Sequence, residues 1–175
     1  MTDYRTYLNN AQKYLDLASE IDENEDRDWL LIPAIIMSWA SIESFVNNMM
    51  DDFSRLPPDL FELHERSLLL EERIRFIDEG KDAGKFILKG NDFKRLEEKI
   101  LFLIWKFNPD KQISIKGNKL WNRFVKFKTL RDSIVHPRRS KDVLITYDDS
   151  TEFRNTAIEI IGLIAEKVWK KPLVI

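Results

Sequence analysis

Arg131 and His136 are the two residues of this chain whose types and spacing suit chemistry. They lie in Leu130-Arg131-Asp132-Ser133-Ile134-Val135-His136-Pro137. A histidine can take the proton from a ribose 2′-hydroxyl or give one to a leaving oxygen. An arginine beside it can stabilise charge developing on a phosphate. RNA supplies its own nucleophile, so cleavage by such a pair requires no metal or cofactor. Asp132 can orient either partner through a hydrogen bond, or serve simply as an exposed helix charge.

The charge around this pair is strongly biased. From Lys116 to Lys141 nine basic residues stand against Asp132 alone. That segment therefore carries +8 and the remainder −10, for a net charge of −2. Lys126, Lys128, Arg138 and Arg139 are the candidate RNA-binding cations. Such asymmetry either attracts an anion such as a nucleic acid or marks a solvated helix face with a basic loop.

The element that must position the pair is a helix opened by Gly117-Asn118 and closed by Pro137, because a residue before proline avoids the helical region. Leu120, Phe124, Phe127, Arg131 and Ile134 alternate spacings of four and three, which is the buried seam of an amphipathic helix. Arg131 occupies a seam position. A guanidinium is costly to bury alone, so Arg131 calls for an anion, a cleft or an interface, unless its stem packs while its head reaches water. Glu43, one position beyond an inward-facing Ile42, is a candidate partner; placement on opposite sides of the bundle would refute that pairing. On an ideal helix His136 stands about 140° round from Arg131. Fraying before Pro137 would let the imidazole swing back, or turn toward a second subunit. Phe124 and Phe127 fit the core seam; Trp121 is more open, and base stacking is the alternative role for these rings.

The remaining elements are also helical in pattern. With 5 Gly and 6 Pro among 175 residues, turns are few. The 43% hydrophobic and 33% charged composition is that of a globular chain. We expect a single all-α domain over residues 1–175, with about five principal helices. The first runs from about Tyr4 to Ile21, with Leu8, Ala11, Leu15 and Ala18 inward. The second begins between Trp29 and Pro33 and continues to about Phe53, with Pro33 in its first turn. Ser67 to Ile77 reads as helical, and Lys85 to Lys89, within an irregular region marked by Gly80, Gly84 and Gly90, is a candidate extended segment. Asn91 or Asp92 caps a helix whose buried side is Phe93, Leu96, Ile100, Leu103, Ile104 and Phe107. The last helix runs from about Thr151 to Lys170.

Several other chemistries find no support. There are no cysteines, so disulfides and thiolate metal sites are excluded. His64-Glu65 begins like H-E-x-x-H, but Leu68 occupies the second histidine's place, so no zinc motif forms. Asp51-Asp52 and Asp148-Asp149 suit helix-end and capping roles better than weak cation binding. No phosphate-binding glycine loop or dinucleotide fingerprint is present. The N-terminus lacks a signal peptide's pattern, and the apolar stretch from Trp29 to Ala40 is shorter than the roughly 20 residues a bilayer span needs. A cytoplasmic protein without a membrane anchor is expected.

Leu130 to Pro137 resembles the R-x4-6-H motif of HEPN domains, with Asp132 as the polar residue that often follows the arginine. Trp39-Ala40-Ser41-Ile42-Glu43-Ser44-Phe45-Val46-Asn47 is similar to an early HEPN helix, and Ser67 to Ile77 to a middle one. The resemblance covers most of the chain from Trp29 onward, but only the Arg–His motif is specific. It implies a HEPN-like bundle and a homodimer whose two motifs face each other. It implies metal-independent endoribonuclease activity with Arg131 and His136 catalytic and Asp132 supporting. It also implies a setting in toxin–antitoxin or defence systems, with an antitoxin or a nucleotidyltransferase as partner. Some family members instead act as non-catalytic binding or assembly modules.

Overall fold

In the computed structural model, residues 3–22, 26–108, 114–136 and 144–172 are described. Among them are six α-helices, one 3-10 turn and one two-stranded sheet. The all-α expectation thus holds for most of the chain, with one hairpin added. The chain divides into two compact units. One comprises Met1–Phe45 with Leu103–Ile175, the other Val46–Phe102.

The first unit is built on helical periodicity. α1 (Tyr4–Ser19) starts where the Asp3 carboxylate accepts the Arg5 N–H, and it buries Tyr4, Leu8, Ala11, Leu15 and Ala18 on one face. α2 (Asp28–Ser54) begins a turn earlier than Pro33 suggested. Asp26 accepts the Asp28 N–H, and the Arg27 carbonyl accepts those of Leu30 and Leu31. Pro33 therefore lies in the second turn. Pro33 has no N–H to offer the carbonyl of Trp29, a residue on the exposed side of the helix. α5 (Lys119–Val135) is capped by Asn118, whose side chain accepts the Trp121 N–H at 2.7 Å. α6 (Tyr147–Trp169) also begins a turn earlier than expected, because Thr146 caps it by accepting the Asp149 N–H at 3.0 Å.

The core of this unit is aromatic. Trp39 of α2 stacks on Phe124 of α5 with centroids 5.5 Å apart and planes 8° from parallel. Phe153 of α6 meets Trp39 edge-on and lies 4.7 Å from Phe127. Phe45 joins Tyr4 to Trp169 through two edge-to-face contacts. By length and composition α2 is the one helix, among the described residues, apolar enough to cross a bilayer, with mean hydropathy 1.6 over its most apolar window. The sequence expectation from Trp29 to Ala40 understated it. Its apolar side chains Ile35, Trp39, Ile42 and Phe45 are buried within the protein, as those of a core helix are.

The second unit departs most from expectation. α3 (Leu63–Leu69) opens on a capping box between Glu62 and Glu65 and stops before Glu71, which adopts a left-handed backbone with φ of 50°. That conformation disfavours a non-glycine residue, and three contacts hold it. Glu71 Oε1 accepts both the Lys94 N–H and the Lys99 ammonium at 3.0 Å, and the Glu71 carbonyl accepts the Asp92 N–H at 2.7 Å. The expected helix over Ser67 to Ile77 is therefore incorrect beyond Leu69. Glu72-Arg73-Ile74-Arg75-Phe76 alternates with period two and forms β1 (Glu72–Phe76). β2 (Phe86–Asn91), close to the extended segment expected there, pairs with it antiparallel, with Ile74 opposite Leu88 and Phe76 opposite Phe86. α4 (Leu96–Phe107) starts later than a cap at Asn91 or Asp92 would require. Asn91 completes the strand, and the Glu98 carboxylate accepts the Arg95 N–H at 2.8 Å to open the helix. Phe93, expected inside, is 80% exposed.

Candidate functional site

The end of α5 holds the candidate residues. Phe124 and Phe127 are buried in the seam as expected, and so is Trp121, tilted against Phe124 at 5.1 Å. The expectation that Trp121 is more open fails because the Asn118 cap begins the helix just before it and Trp121 turns inward against Phe124, while Lys119 and Asn122 beside it stay exposed. These three rings are core and not a base-stacking surface.

Arg131 is half-buried, and its fork is engaged on two sides. Nη1 lies 2.8 Å from Asp132 Oδ1 and Nη2 lies 3.2 Å from Glu43 Oε1. The guanidinium carbon stands 5.0 Å from the centre of the Trp39 ring, where the ring quadrupole attracts a cation. Glu43 Oε1 also accepts the Trp39 indole N–H at 2.6 Å. Trp39 and Glu43, four residues apart on α2, thus form one cradle: the ring lies under the charge and the carboxylate beside it. The pairing of Glu43 with Arg131 that the sequence suggested is made. Trp39's part was not foreseen, although its i, i+4 spacing from Glu43 was visible.

His136 caps α5. Its backbone leaves the helix at φ −124° and ψ 65°, while its N–H still donates to the Asp132 carbonyl at 2.9 Å. Asp132 therefore ties both candidates down, Arg131 by its side chain and His136 by its main chain. The imidazole is exposed to solvent. Among the described residues, no hydrogen bond or ion pair joins it to the Arg131 or Asp132 side chains. Pro137, Arg138 and Arg139 lie outside the described residues. No group of three or more His, Asp or Glu side chains among the described residues is placed to hold a metal ion.

The basic stripe of α5 faces carboxylates that the sequence reading had not matched to it. Lys126 lies 3.1 Å from Asp149 and 3.8 Å from Glu152, and Arg123 pairs with Glu159, all on α6. The spacing of 149, 152 and 159 on one helix was the available signal. Hydrogen bonding from the Thr146 hydroxyl, and then from Lys126, holds the Asp149 carboxyl below the usual aspartate range against the opposing effect of burial. Lys128 is half-buried. Much of the cationic character read from α5 is thus balanced within the fold.

No protein-family model, curated protein or solved structure matches the chain.

Proposed function

We propose that this chain is a cytoplasmic HEPN-like helical protein that cleaves RNA without a metal ion, through Arg131 and His136 brought together with those of a second copy. One observation carries the reading: a guanidinium fixed by Glu43, Asp132 and Trp39 lies on the last turns of a helix that ends in an exposed imidazole. In the reaction a 2′-oxygen bonds to the adjacent phosphorus as its proton passes to an imidazole. The bond to the 5′-oxygen breaks, and that oxygen is protonated as it leaves. Arg131 has five N–H donors, of which two are engaged with carboxylates, so others are available to a phosphate oxygen. An antitoxin or nucleotidyltransferase partner and a defence setting belong to the same proposal.

One observation favours a second reading. Two carboxylates compensate Arg131 inside the fold, as expected if its work is to tie α5 to α2 in a non-catalytic module that dimerises or binds a partner or RNA. Purified wild type and His136→Ala incubated with mixed RNA in EDTA separate the two. Cleavage by wild type alone supports the nuclease. Equal cleavage by both overturns the role of His136, and no cleavage by either favours the module.

A further inference from the structure

The β1–β2 hairpin presents a surface that the Arg131 site does not use. Ile74, Phe76, Phe86 and Leu88 share one face, because Ile74 pairs with Leu88, Phe76 with Phe86, and alternate residues of a strand point the same way. Phe76 is 56% exposed and Phe86 59%, with ring centroids 5.3 Å apart across the strands. A two-stranded ribbon has only edges, and natural proteins guard edges with charge. Edge protection explains Arg73, Arg75 and Lys89. It does not explain two adjacent phenylalanines left open to water, which edge protection would select against.

The cations here are also unlike those of α5. β1 carries Arg73 and Arg75 against Glu72 alone, and Lys89 is the one charge on β2. All three are exposed, and none forms an ion pair with a described residue. The nearby Asp92 is taken by Lys94, chiefly through a 2.5 Å hydrogen bond, with Arg73 contributing only at a distance.

We propose that this hairpin binds single-stranded nucleic acid. Phe76 and Phe86 stack on two neighbouring bases, and the long side chains of Arg73, Arg75 and Lys89, which alternate to the other face of the ribbon, reach past its edges to the phosphates. Aromatic side chains accept any base because every base has a π-face, while Arg and Lys supply the backbone attraction. The turn between the strands carries Asp78, Glu79 and Asp82 against Lys81 and Lys85, with Lys85 paired to Asp82, and this small acidic excess places the phosphate path toward the strand ends that carry Arg73 and Lys89. The same turn opposes docking on an anionic lipid surface. A second copy is the poorer occupant, since β1 pairing with its own copy would align Arg73 and Arg75 with like charges. Four side chains also fall short of the roughly 800 Å² per partner of a stable interface. The proposal does not depend on the nuclease reading, and its test measures binding alone.

Fluorescence anisotropy of labelled oligouridylate, oligothymidylate and an RNA duplex is measured with the full chain carrying His136→Ala, so that no probe is cut. The probes bind this chain in the order single strand over duplex, and the two single strands report whether RNA is preferred to DNA. Adding Phe76→Leu and Phe86→Leu, which keeps apolar volume on an exposed face but removes the rings, weakens single-strand binding at least tenfold. Replacing Arg73, Arg75 and Lys89 by Gln lowers the slope of log affinity against log salt by about two. Circular dichroism and thermal melting verify that each variant is folded. Three results overturn the proposal: no single-strand binding by the starting chain, equal affinity after the Leu substitutions, or equal affinity for duplex. A light-scattering mass that falls in the Leu variant while oligonucleotide affinity stays constant also overturns it, and assigns the face to self-association.

Discussion

Helix α5 and the β1–β2 hairpin both interleave cations with aromatic rings, and the fold treats them in opposite ways. On α5 the rings of Trp121, Phe124 and Phe127 are buried, and the charges of Arg123, Lys126 and Arg131 meet carboxylates of α6 and α2. On the hairpin Phe76 and Phe86 face water, and Arg73, Arg75 and Lys89 have no ion-pair partner among the described residues. The more basic segment of the sequence is thus the more neutralised one. What differs is the neighbour: α5 lies beside a helix that carries acids at matching spacing, whereas among the described residues no third strand flanks the ribbon. Composition describes a segment, but exposed charge and exposed rings belong to pairs of segments.

The largest effect expected is on the proposed RNA cleavage. His136→Ala should lower RNA cleavage by about 10²- to 10⁴-fold, with an unchanged melting temperature because the imidazole is exposed. Gel assays alongside thermal melts check both halves. Next in size is the contrast between the two sets of rings. Phe124→Ala should cost about 3–5 kcal/mol by removing a ring that stacks on Trp39. Phe76→Ala, losing only a cross-strand contact, should cost about 1 kcal/mol or less. Comparable losses in urea denaturation would mean that the hairpin ring is covered in solution.

Smaller effects test the carboxylates. A double-mutant cycle between Glu43→Gln and Arg131→Met should give a coupling of about 1 kcal/mol, a modest figure because both side chains are partly exposed to screening water. Asp149, whose carboxyl is held low chiefly by Thr146, contributes stability that is present above the ordinary aspartate value of 3.8. That contribution is lost as pH falls through its lower folded value. Asp149→Asn should therefore flatten the acid limb of a stability–pH curve and leave a smaller difference from wild type at the lowest pH. Smallest of all, Lys126→Gln should change stability by a few tenths of a kcal/mol. It should also barely alter oligonucleotide affinity, whereas Lys89→Gln weakens it measurably. The reverse ranking would undo the contrast between α5 and the hairpin.

Much of the helical framework was legible in the chain itself. Leu8, Ala11, Leu15 and Ala18, the stripe through Ile35, Trp39, Ile42 and Phe45, and the Asn118 cap follow from period and local hydrogen bonding, which need no distant partner. The Arg131–His136 spacing and the helix end before Pro137 were equally local. The start of α6 was local as well, but the Thr146–Asp149 cap was overlooked in favour of apolar periodicity.

Tertiary structure alone decided the rest. Nothing near Glu71 in sequence announces a left-handed residue. Lys94, Lys99 and Asp92, more than twenty positions on, hold it there, and that turn converts the expected helix after Leu69 into a strand. The charges on α5 were plain in the sequence, but their neutralisation depended on acids brought from α6. Whether Arg131 lay free or cradled depended on Trp39 and Glu43, some ninety residues earlier. Periodicity and capping are short-range and readable from neighbours along the chain. Charge compensation and backbone strain are set by neighbours in space, which only the fold supplies.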